Sequence, residues 1–399
     1  MVTWKTLISY IVITAFAILF LFVGNTLVAP EQPDSVDTVG QSAEARVERI
    51  IGEYVDFFDW GATTTIRFEA QITSGEFQNE TVIASQSLDD FFGSINRGVR
   101  EGDRVILNAF SYESWDIYGD YGWDVQDGYE LGFADDYHWY FSDFIRINQI
   151  IILGLLFALL LLVLGKMKGL KALLTLGFTC IAVFAVFIPS ILSGRNIYLS
   201  AIIVCAYSII VTILLINGVN KKSLAAISGC LGGVIAAAAL TLVMNYTLEL
   251  TGIVSGESMQ LLSFNPDNPI DLQALIFASI IIGAVGAVMD VAVSISSALW
   301  ELKAQAPDLT LKKVYKSGMN IGRDVMASMT NTLVLAYIGS SLSIILLLVI
   351  NVDSLTVLFN SELVIIELLQ AIIGSMGILV TVPLTALICA ALLSPRPRR

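Results

Sequence analysis

The stretch LQALIFASIIIGAVGAVMDVAVSISS, Leu272–Ser297, decides the fold class of this chain. Its 26 residues carry a single charged side chain, Asp290. About 20 predominantly apolar residues suffice to cross the hydrocarbon core of a bilayer, so the stretch predicts a transmembrane helix. An ionised carboxylate in hydrocarbon costs several kcal/mol at least, which makes Asp290 the first candidate for a functional residue.

The rest of the chain has the composition of a membrane protein. It is 56% hydrophobic and 14% charged, with a mean hydropathy of +0.76, whereas globular domains are about 25% charged. We predict an α-helical polytopic membrane protein with about eight transmembrane helices. The predicted spans are Leu7–Ala29, Ile147–Gly165, Ala172–Leu192, Ile197–Ile216, Ser223–Thr247, Leu272–Ser297, Val325–Ile350 and Leu363–Leu393.

The first span reads as a retained anchor rather than a signal peptide. Its apolar core is too long for a signal peptide, and Pro30 follows Ala29 where cleavage would occur. The predicted domains are an anchor helix (1–29), an acidic β-rich extracytoplasmic domain (30–146), a seven-helix membrane domain (147–393) and a basic cytoplasmic tail (394–399).

Charge is divided unevenly between these parts. Ala29–Ile147 has 24 acidic and 7 basic residues, whereas the remaining chain is mildly basic. Lys and Arg in short loops favour the cytoplasmic side. A cytoplasmic N-terminus puts Arg195 alone in the short outer loops and 14 basic residues inside: Lys5, Lys166, Lys168, Lys171, Lys221, Lys222, Lys303, Lys312, Lys313, Lys316, Arg323, Arg396, Arg398 and Arg399. Both termini are therefore predicted to be cytoplasmic, with residues 30–146 outside.

The outer domain reads as a small β-barrel or sandwich. Alternating or β-rich patterns predict strands in four segments: Ala45–Asp56, Thr63–Thr73, Glu80–Leu88 and Glu101–Phe110. The aromatic tail that follows carries Asp116, Asp120, Asp124 and Asp127, whose spacing does not fit an EF-hand. An aromatic hairpin with solvated acidic turns is the expected structure, and a cation or polyol site is the alternative. His138, the only histidine, is expected to be a surface or interfacial residue.

Several kinds of chemistry have no motif in this sequence. It contains no GxxxxGK[ST] loop and no HExxH, and a single histidine outside the membrane rules out serine–histidine catalysis within it. No basic surface for nucleic acid is present. The four cysteines lie in apolar runs and are expected to be buried, inert thiols. We therefore expect no cofactor, no metal and no nucleic-acid partner, and we do not expect an enzyme.

Three spans carry polar residues at helical spacing, so each predicts one polar helix face. The sixth span has Gly283, Ala287, Asp290, Ser294, Ser297 and Glu301; the seventh has Asp324, Ser328 and Asn331; the eighth has Glu367, Gln370, Gly374, Gly377, Thr381 and Thr385. Asp290 and Asn331 are predicted at similar depths, so the faces could surround one hydrated interior. The predicted substrate or ion pathway comprises Asp290, Ser294, Arg323, Asp324, Ser328, Thr330, Asn331 and Gln370.

A structural role is the alternative for these residues. Interhelical hydrogen bonds average well under 2 kcal/mol and suit Ser and Thr. Arg323 and Asp324 could form an ion pair at the membrane edge. For Asp290 helix adhesion is a poor explanation, because a neutral residue would serve at a lower desolvation cost.

The segments GAVMDVAVSISSALWEL and SGMNIGRDVMASMTNTLVLAYIGSSL resemble the YibE/F family of bacterial multi-pass membrane proteins. The resemblance is specific over Gly286–Leu342 and looser over all spans, and the EGDRV turn is similar to that of the longer, YibE-like members. It implies a bacterial cell membrane protein and its architecture. It implies no substrate and no functional residue.

The favoured hypothesis is a transporter or permease coupled to protons or sodium through Asp290. One alternative is a membrane sensor or assembly factor that uses the outer domain. Another is an intramembrane aspartyl hydrolase with Asp290 and Asp324 as a dyad, although the expected GxGD signature is missing. Expected partners are the lipid bilayer, a small molecule or ion, and a second copy or a partner membrane protein. The loop segment Leu309–Lys316 is expected to lie on anionic headgroups.

Overall fold

The computed structural model describes residues 4–28, 41–58, 61–89, 97–111, 137–254, 256–263, 269–351 and 354–393. The aromatic hairpin expected around Asp116–Asp127, its alternative as a cation or polyol site, and the basic tail 394–399 lie outside these residues. The chain divides into two compact units, Gln32–Leu159 and the remainder.

The first unit contains a closed five-stranded barrel. Its strands are β1 (Gln41–Phe58), β2 (Gly61–Ile72), β3 (Thr81–Asp89), β4 (Arg104–Ser111) and β5 (Tyr137–Phe144). They follow the order β1-β2-β3-β5-β4 around the barrel, and all pairs are antiparallel except β3 with β5. This is the connectivity of an OB-fold barrel. Fold alone implies no function.

The barrel forms because its strands alternate apolar and polar side chains. Along β2, Ile66, Phe68, Ala70 and Ile72 are buried, as period-two strand geometry requires of the residues on an inward face. β1 has register shifts near Val47 and Ile50, which let one long strand pair with β2 throughout and with β4 at its start. The four predicted strand segments coincide with β1 to β4, and the barrel was one of the two architectures expected.

The other unit is helical. Its long helices are α1 (Trp4–Val28), α2 (Ile147–Ala182), α4 (Ile197–Asn217), α5 (Lys221–Thr247), α7 (Leu272–Gln305), α8 (Leu311–Ser340) and α11 (Glu362–Leu393). A π-helical turn, Val183–Phe187, and α3 (Ile188–Leu192) continue α2, and short helices α6 (Gly256–Ser263), α9 (Leu342–Asn351) and α10 (Leu355–Asn360) join the others. The first part of α2, up to Leu159, belongs to the barrel unit.

Six helices in the described ranges are long and apolar enough to cross a membrane: Ile8–Val28, Ile147–Leu192, Ile197–Asn217, Lys221–Thr247, Leu272–Gln305 and Glu362–Leu393. The sequence predicts eight spans, two more than these six helices. The predicted second and third spans both fall within the 46-residue run Ile147–Leu192. The predicted seventh span, Val325–Ile350, is divided between α8, which is too polar to qualify, and α9, which has only 10 residues.

The 46-residue run is interrupted at Lys166, which has φ 48° and ψ −127°. Three residues later, a β-carbon on Gly169 would collide with the Leu161 carbonyl. In an unbroken helix these two residues would lie about 12 Å apart along the axis. The backbone therefore folds back at Lys166, between the two spans that the sequence predicts.

The connection from α7 to α8 also differs from the prediction. Pro307 does separate the two helices, and Lys303 Nζ donates to the Pro307 carbonyl at 2.6 Å. The segment beyond it is not a separate surface element, because α8 starts at Leu311 and continues to Ser340. Val314, expected on headgroups, is 1% exposed and belongs to the helical core.

Candidate functional site

The candidate site follows one face of α7. The helix begins at Leu272, where Asp271 Oδ1 accepts a hydrogen bond from the Ala274 amide at 3.0 Å and caps the first turn. One face is fully buried, with Ile281, Val288 and Ile295 each 0% exposed. The opposite face has small and polar residues that the chain leaves uncovered: Ser279, Gly283, Gly286, Asp290 and Ser294. We call these five residues the α7 strip.

The α7 strip covers most of the thickness of the hydrocarbon core of a bilayer. From Ser279 to Ser294 it extends about 22 Å at 1.5 Å per residue, against a hydrocarbon core about 30 Å thick. It contains no large apolar side chain, so lipid or another helix can approach the backbone closely. Asp290 lies about 27 Å from the start of the helix. Within the described part of the chain, its carboxylate makes no hydrogen bond or ion pair.

α8 runs antiparallel to α7. Two contacts fix the register: Ile295 beside Gly322, and Gly283 beside Tyr337. Interpolation between them puts Asp290 at the level of Ser328. The two polar stretches therefore reach the same depth, as their positions in the sequence predict.

The predicted α8 residues nevertheless lie mainly on its outer side. Arg323, Asp324, Ser328 and Asn331 are exposed, and Thr330 is half-buried. The opposite side of α8 packs through Val314, Gly318 and Gly322. Among the described residues, no ion pair joins Arg323 to Asp324, and no hydrogen bond joins Asn331 to Asp290. The structure therefore brings these residues to one depth without enclosing them in one cavity.

A second polar group lies at the Ser279 end of the α7 strip. Gln370 Nε2 on α11 donates to Ser279 Oγ at 3.1 Å. The Tyr337 hydroxyl comes so close to Gly283 that a β-carbon there would collide with it, and Glu367 is near enough to Tyr337 to act on it electrostatically. The Tyr337 hydroxyl and Glu367 Oε2 are both buried, and neither has a hydrogen-bond partner among the residues that the structure describes.

Sequence reasoning found Gln370 and the Glu367 spacing but missed Ser279 and Tyr337. Ser279 could have been found, since it precedes Gly283 by one further step of four along the same face. Tyr337 has no such signal, because its role depends on where α8 crosses α7.

A carboxylate at the start of α11 also forms hydrogen bonds with backbone amides in the segment that follows α5. Glu362, in the first turn of α11, accepts hydrogen bonds from the Thr251 and Gly252 amides, both at 2.6 Å, and from Thr251 Oγ1 at 2.8 Å. Gly252 has φ +81°, and a β-carbon there would lie 2.5 Å from that of Leu272. Glycine is therefore required at this turn on both steric and conformational grounds.

Replacing Glu362 with Ala should loosen this turn. The backbone amides of Thr251 and Gly252 would lose a charged acceptor, and hydrogen bonds to charged groups contribute about 1.5–3 kcal/mol when well formed. Because the group is half-buried, we expect a loss of roughly 1–2 kcal/mol in the free energy of unfolding. Thermal melting of the purified protein measures it. Glu301→Ala, which removes one carboxylate contact within α7, is the control, and equal melting of the two variants would contradict the role of Glu362.

No three His, Cys, Asp or Glu side chains in the described ranges come together as a metal site would require. Cys205, Cys230 and Cys389 are buried, and Cys180 is exposed. The polar residues of the α7 strip and of its Ser279 end are the candidate site in the described helices.

The helices that carry this site match a known family. The YibE/F-like protein family is matched over residues 153–395, more than half of the chain. The chain belongs to the YibE/F-like family. The comparison with curated proteins found no match, and neither did the comparison with solved structures. The matched region of this YibE/F-like protein includes α7, α8 and α11 in full, whereas the barrel lies before it.

Proposed function

We propose that this YibE/F-like protein is a transporter or permease whose pathway follows the α7 strip, with Asp290 as the ion-coupling carboxylate. The observation that carries the proposal is a pair of buried polar atoms at the Ser279 end, Tyr337 Oη and Glu367 Oε2, which have no hydrogen-bond partner in the described part of the chain. An unsatisfied polar group in a membrane interior costs several kcal/mol. An ion, a proton or a polar solute passing along the strip would satisfy them.

The strip supports this proposal because it joins two carboxylates. Asp290 lies near one end and Glu367 beside the other, with Gly283 and Gly286 between them. Ionisable residues inside membrane proteins usually face a pathway or a partner group. Small residues between two such groups leave room for a solute along the helix.

Orientation in a bacterial plasma membrane belongs to the same proposal. Lys171 Nζ donates to the Tyr10 hydroxyl near the start of α1, and Arg195 donates to the Leu27 carbonyl near its end. Lys171 therefore lies at the Tyr10 end of α1, and Arg195 lies at the Leu27 end. With the positive-inside rule, this supports cytoplasmic termini and an extracytoplasmic barrel.

We also propose that a second copy or a partner membrane protein covers α8. Asp324, Ser328 and Asn331 lie on a face that the chain leaves exposed. Polar groups exposed to lipid are costly, whereas Ser and Asn hydrogen-bond well across helix interfaces. The transported substrate in this proposal is a small molecule or an ion that moves along the α7 strip.

Gly286→Leu tests the pathway. A β-carbon on Gly286 meets no atom of the described residues within 4 Å, so leucine fits the folded protein while filling the middle of the strip. We expect normal expression and loss of most of the difference in intracellular metabolites and ions between cells with and without the protein. Gly177→Leu is the matched control, because that glycine is also helical and unobstructed. Wild-type profiles with Gly286→Leu would rule out this path.

A further inference from the structure

A cavity of about 800 Å³ lies at one end of the barrel, within the unit Gln32–Leu159. Its walls come from β3, β4, β5, the segment just before β4 and the first turn of α2. Cavities that hold small molecules are typically about 300–1,000 Å³. The space is therefore large enough for a ligand, and its lining includes no residue of the α7 strip.

The walls of the cavity are positively charged in an acidic segment. Three arginines line it, Arg97, Arg104 and Arg146, against two carboxylates, Asp103 and Asp143. The segment Ala29–Ile147 has only 7 basic residues and 24 acidic ones. Nearly half of its positive charges thus surround one cavity, an arrangement that attracts an anion.

The arginines are held in position with donors to spare. Arg97 Nη2 contacts both carboxylate oxygens of Asp103, at 2.8 and 2.9 Å. Arg146 Nη1 lies 3.0 Å from Asp143 Oδ1, and Arg104 donates through Nη2 alone, to a glutamate outside the cavity at 3.2 Å. A guanidinium has five N–H donors, so in the part of the chain described here each contact uses one nitrogen of three.

An aromatic ring holds two of the guanidinium groups. The Cζ atoms of Arg97 and Arg146 lie 5.1 and 5.7 Å from the centre of the Phe144 ring, within cation–π range. Phe141 packs edge-on against Phe144 at 4.9 Å between ring centres. The ring thereby fixes two side chains that would otherwise be flexible, which reduces the entropy lost when a ligand binds.

The cavity lies where the chain enters its long apolar helix. Arg146 is followed directly by Ile147, the first residue of α2, and Asn148 and Gln149 of that first turn also line the cavity. The apolar run that begins there is long enough to cross a bilayer. The site is therefore at the depth of lipid headgroups if α2 spans the membrane.

We infer that this cavity binds a phosphate group, carried by an anionic phospholipid or by a soluble phosphate ester. Arginine pairs with phosphate through parallel N–H donors, and a phosphate has enough acceptor oxygens for several guanidinium groups at once. Leu88, Phe141 and Phe144 supply apolar surface for the remainder of the molecule. The inference goes beyond the proposed transport function and does not depend on it.

Binding to the full-length protein in phosphatidylcholine nanodiscs tests the inference. One arm titrates radiolabelled glycerol 3-phosphate, and the other adds fluorescent phosphatidylglycerol to the nanodiscs. We expect saturable binding in at least one arm. Binding of the lipid alone identifies the headgroup as the source, and binding of glycerol 3-phosphate identifies a soluble ester.

Arg146→Gln should weaken this binding about tenfold or more, and Arg104→Gln should do the same. Arg146 is exposed, and its ion pair with Asp143 contributes little to folding, so the variant should melt like the wild type. Arg49→Gln is the control, since Arg49 forms a similar ion pair with Glu69 on the same barrel but does not line the cavity. No wild-type binding in either arm, or equal weakening by Arg49→Gln, would overturn the inference.

Discussion

Asp290→Asn is expected to reach the membrane in wild-type amounts and to lose at least about 90% of ion-coupled transport. Asparagine keeps the size and hydrogen-bonding capacity of the side chain, but it carries no negative charge and binds no proton. In each transport cycle, a coupling carboxylate must either bind a cation through its negative charge or bind and release a proton. The measurement compares metabolites and ions inside and outside cells that carry the wild type or the variant.

Asp308→Asn is the matched control for this experiment. Asp308 is exposed in the connection between α7 and α8, outside the membrane-spanning helices. Its replacement should leave both profiles unchanged. Full activity of Asp290→Asn at normal expression would remove the coupling role and leave the carboxylate without an assigned function.

Gly233→Leu is expected to prevent folding of most of the protein. The helices α5 and α11 are so close here that a β-carbon on Gly233 would collide with Thr381 Oγ1 and lie 2.9 Å from the Gly377 carbonyl. Thr381 cannot move aside easily, because it is 0% exposed and donates to the Gly377 carbonyl at 2.8 Å. Overpacking of this kind costs about 3 kcal/mol or more when backbone must shift.

Size-exclusion chromatography of detergent extracts, followed by thermal melting, measures the loss. Gly154→Leu provides the comparison, because a β-carbon on that helical glycine meets nothing within 4 Å in the described ranges. Its extract should give a monodisperse peak, whereas the Gly233→Leu extract should give aggregate. Similar peaks from both variants would mean that α5 and α11 are not in close contact.

The spacing of apolar residues predicted much of this fold, because the period of a strand or a helix can be recognised within a single segment. Strands β1 to β4 alternate clearly, and α7 begins at the predicted Leu272. β5 was predicted only in part, as the end of an aromatic hairpin, and not as a strand of the barrel. It follows an aspartate-rich aromatic segment, and its place is fixed by long-range pairing of Ala84 with Trp139 and of Ala109 with Trp139.

The candidate site was also predictable only in part, because contacts between helices do not show in the spacing within one helix. Spacing put Asp290 and Ser294 on one face of α7, as the structure has them. Spacing within α8 did not reveal which side of that helix packs on its neighbours. A signal was available in Val314, Gly318 and Gly322, which are four residues apart, but they lie before the predicted seventh span.

The packing of α8 has a consequence for how the protein is made. Gly318 and Gly322 receive Ala386 and Val382 of α11, a helix that is synthesised after α8. α8 has Arg323 and Asp324 in its middle and is not among the helices of the described ranges that are apolar enough to cross a membrane, so packing against other helices is important for its position. Its final position must await the arrival of α11, and a chain truncated before Glu362 would leave α8 without the surface that holds it.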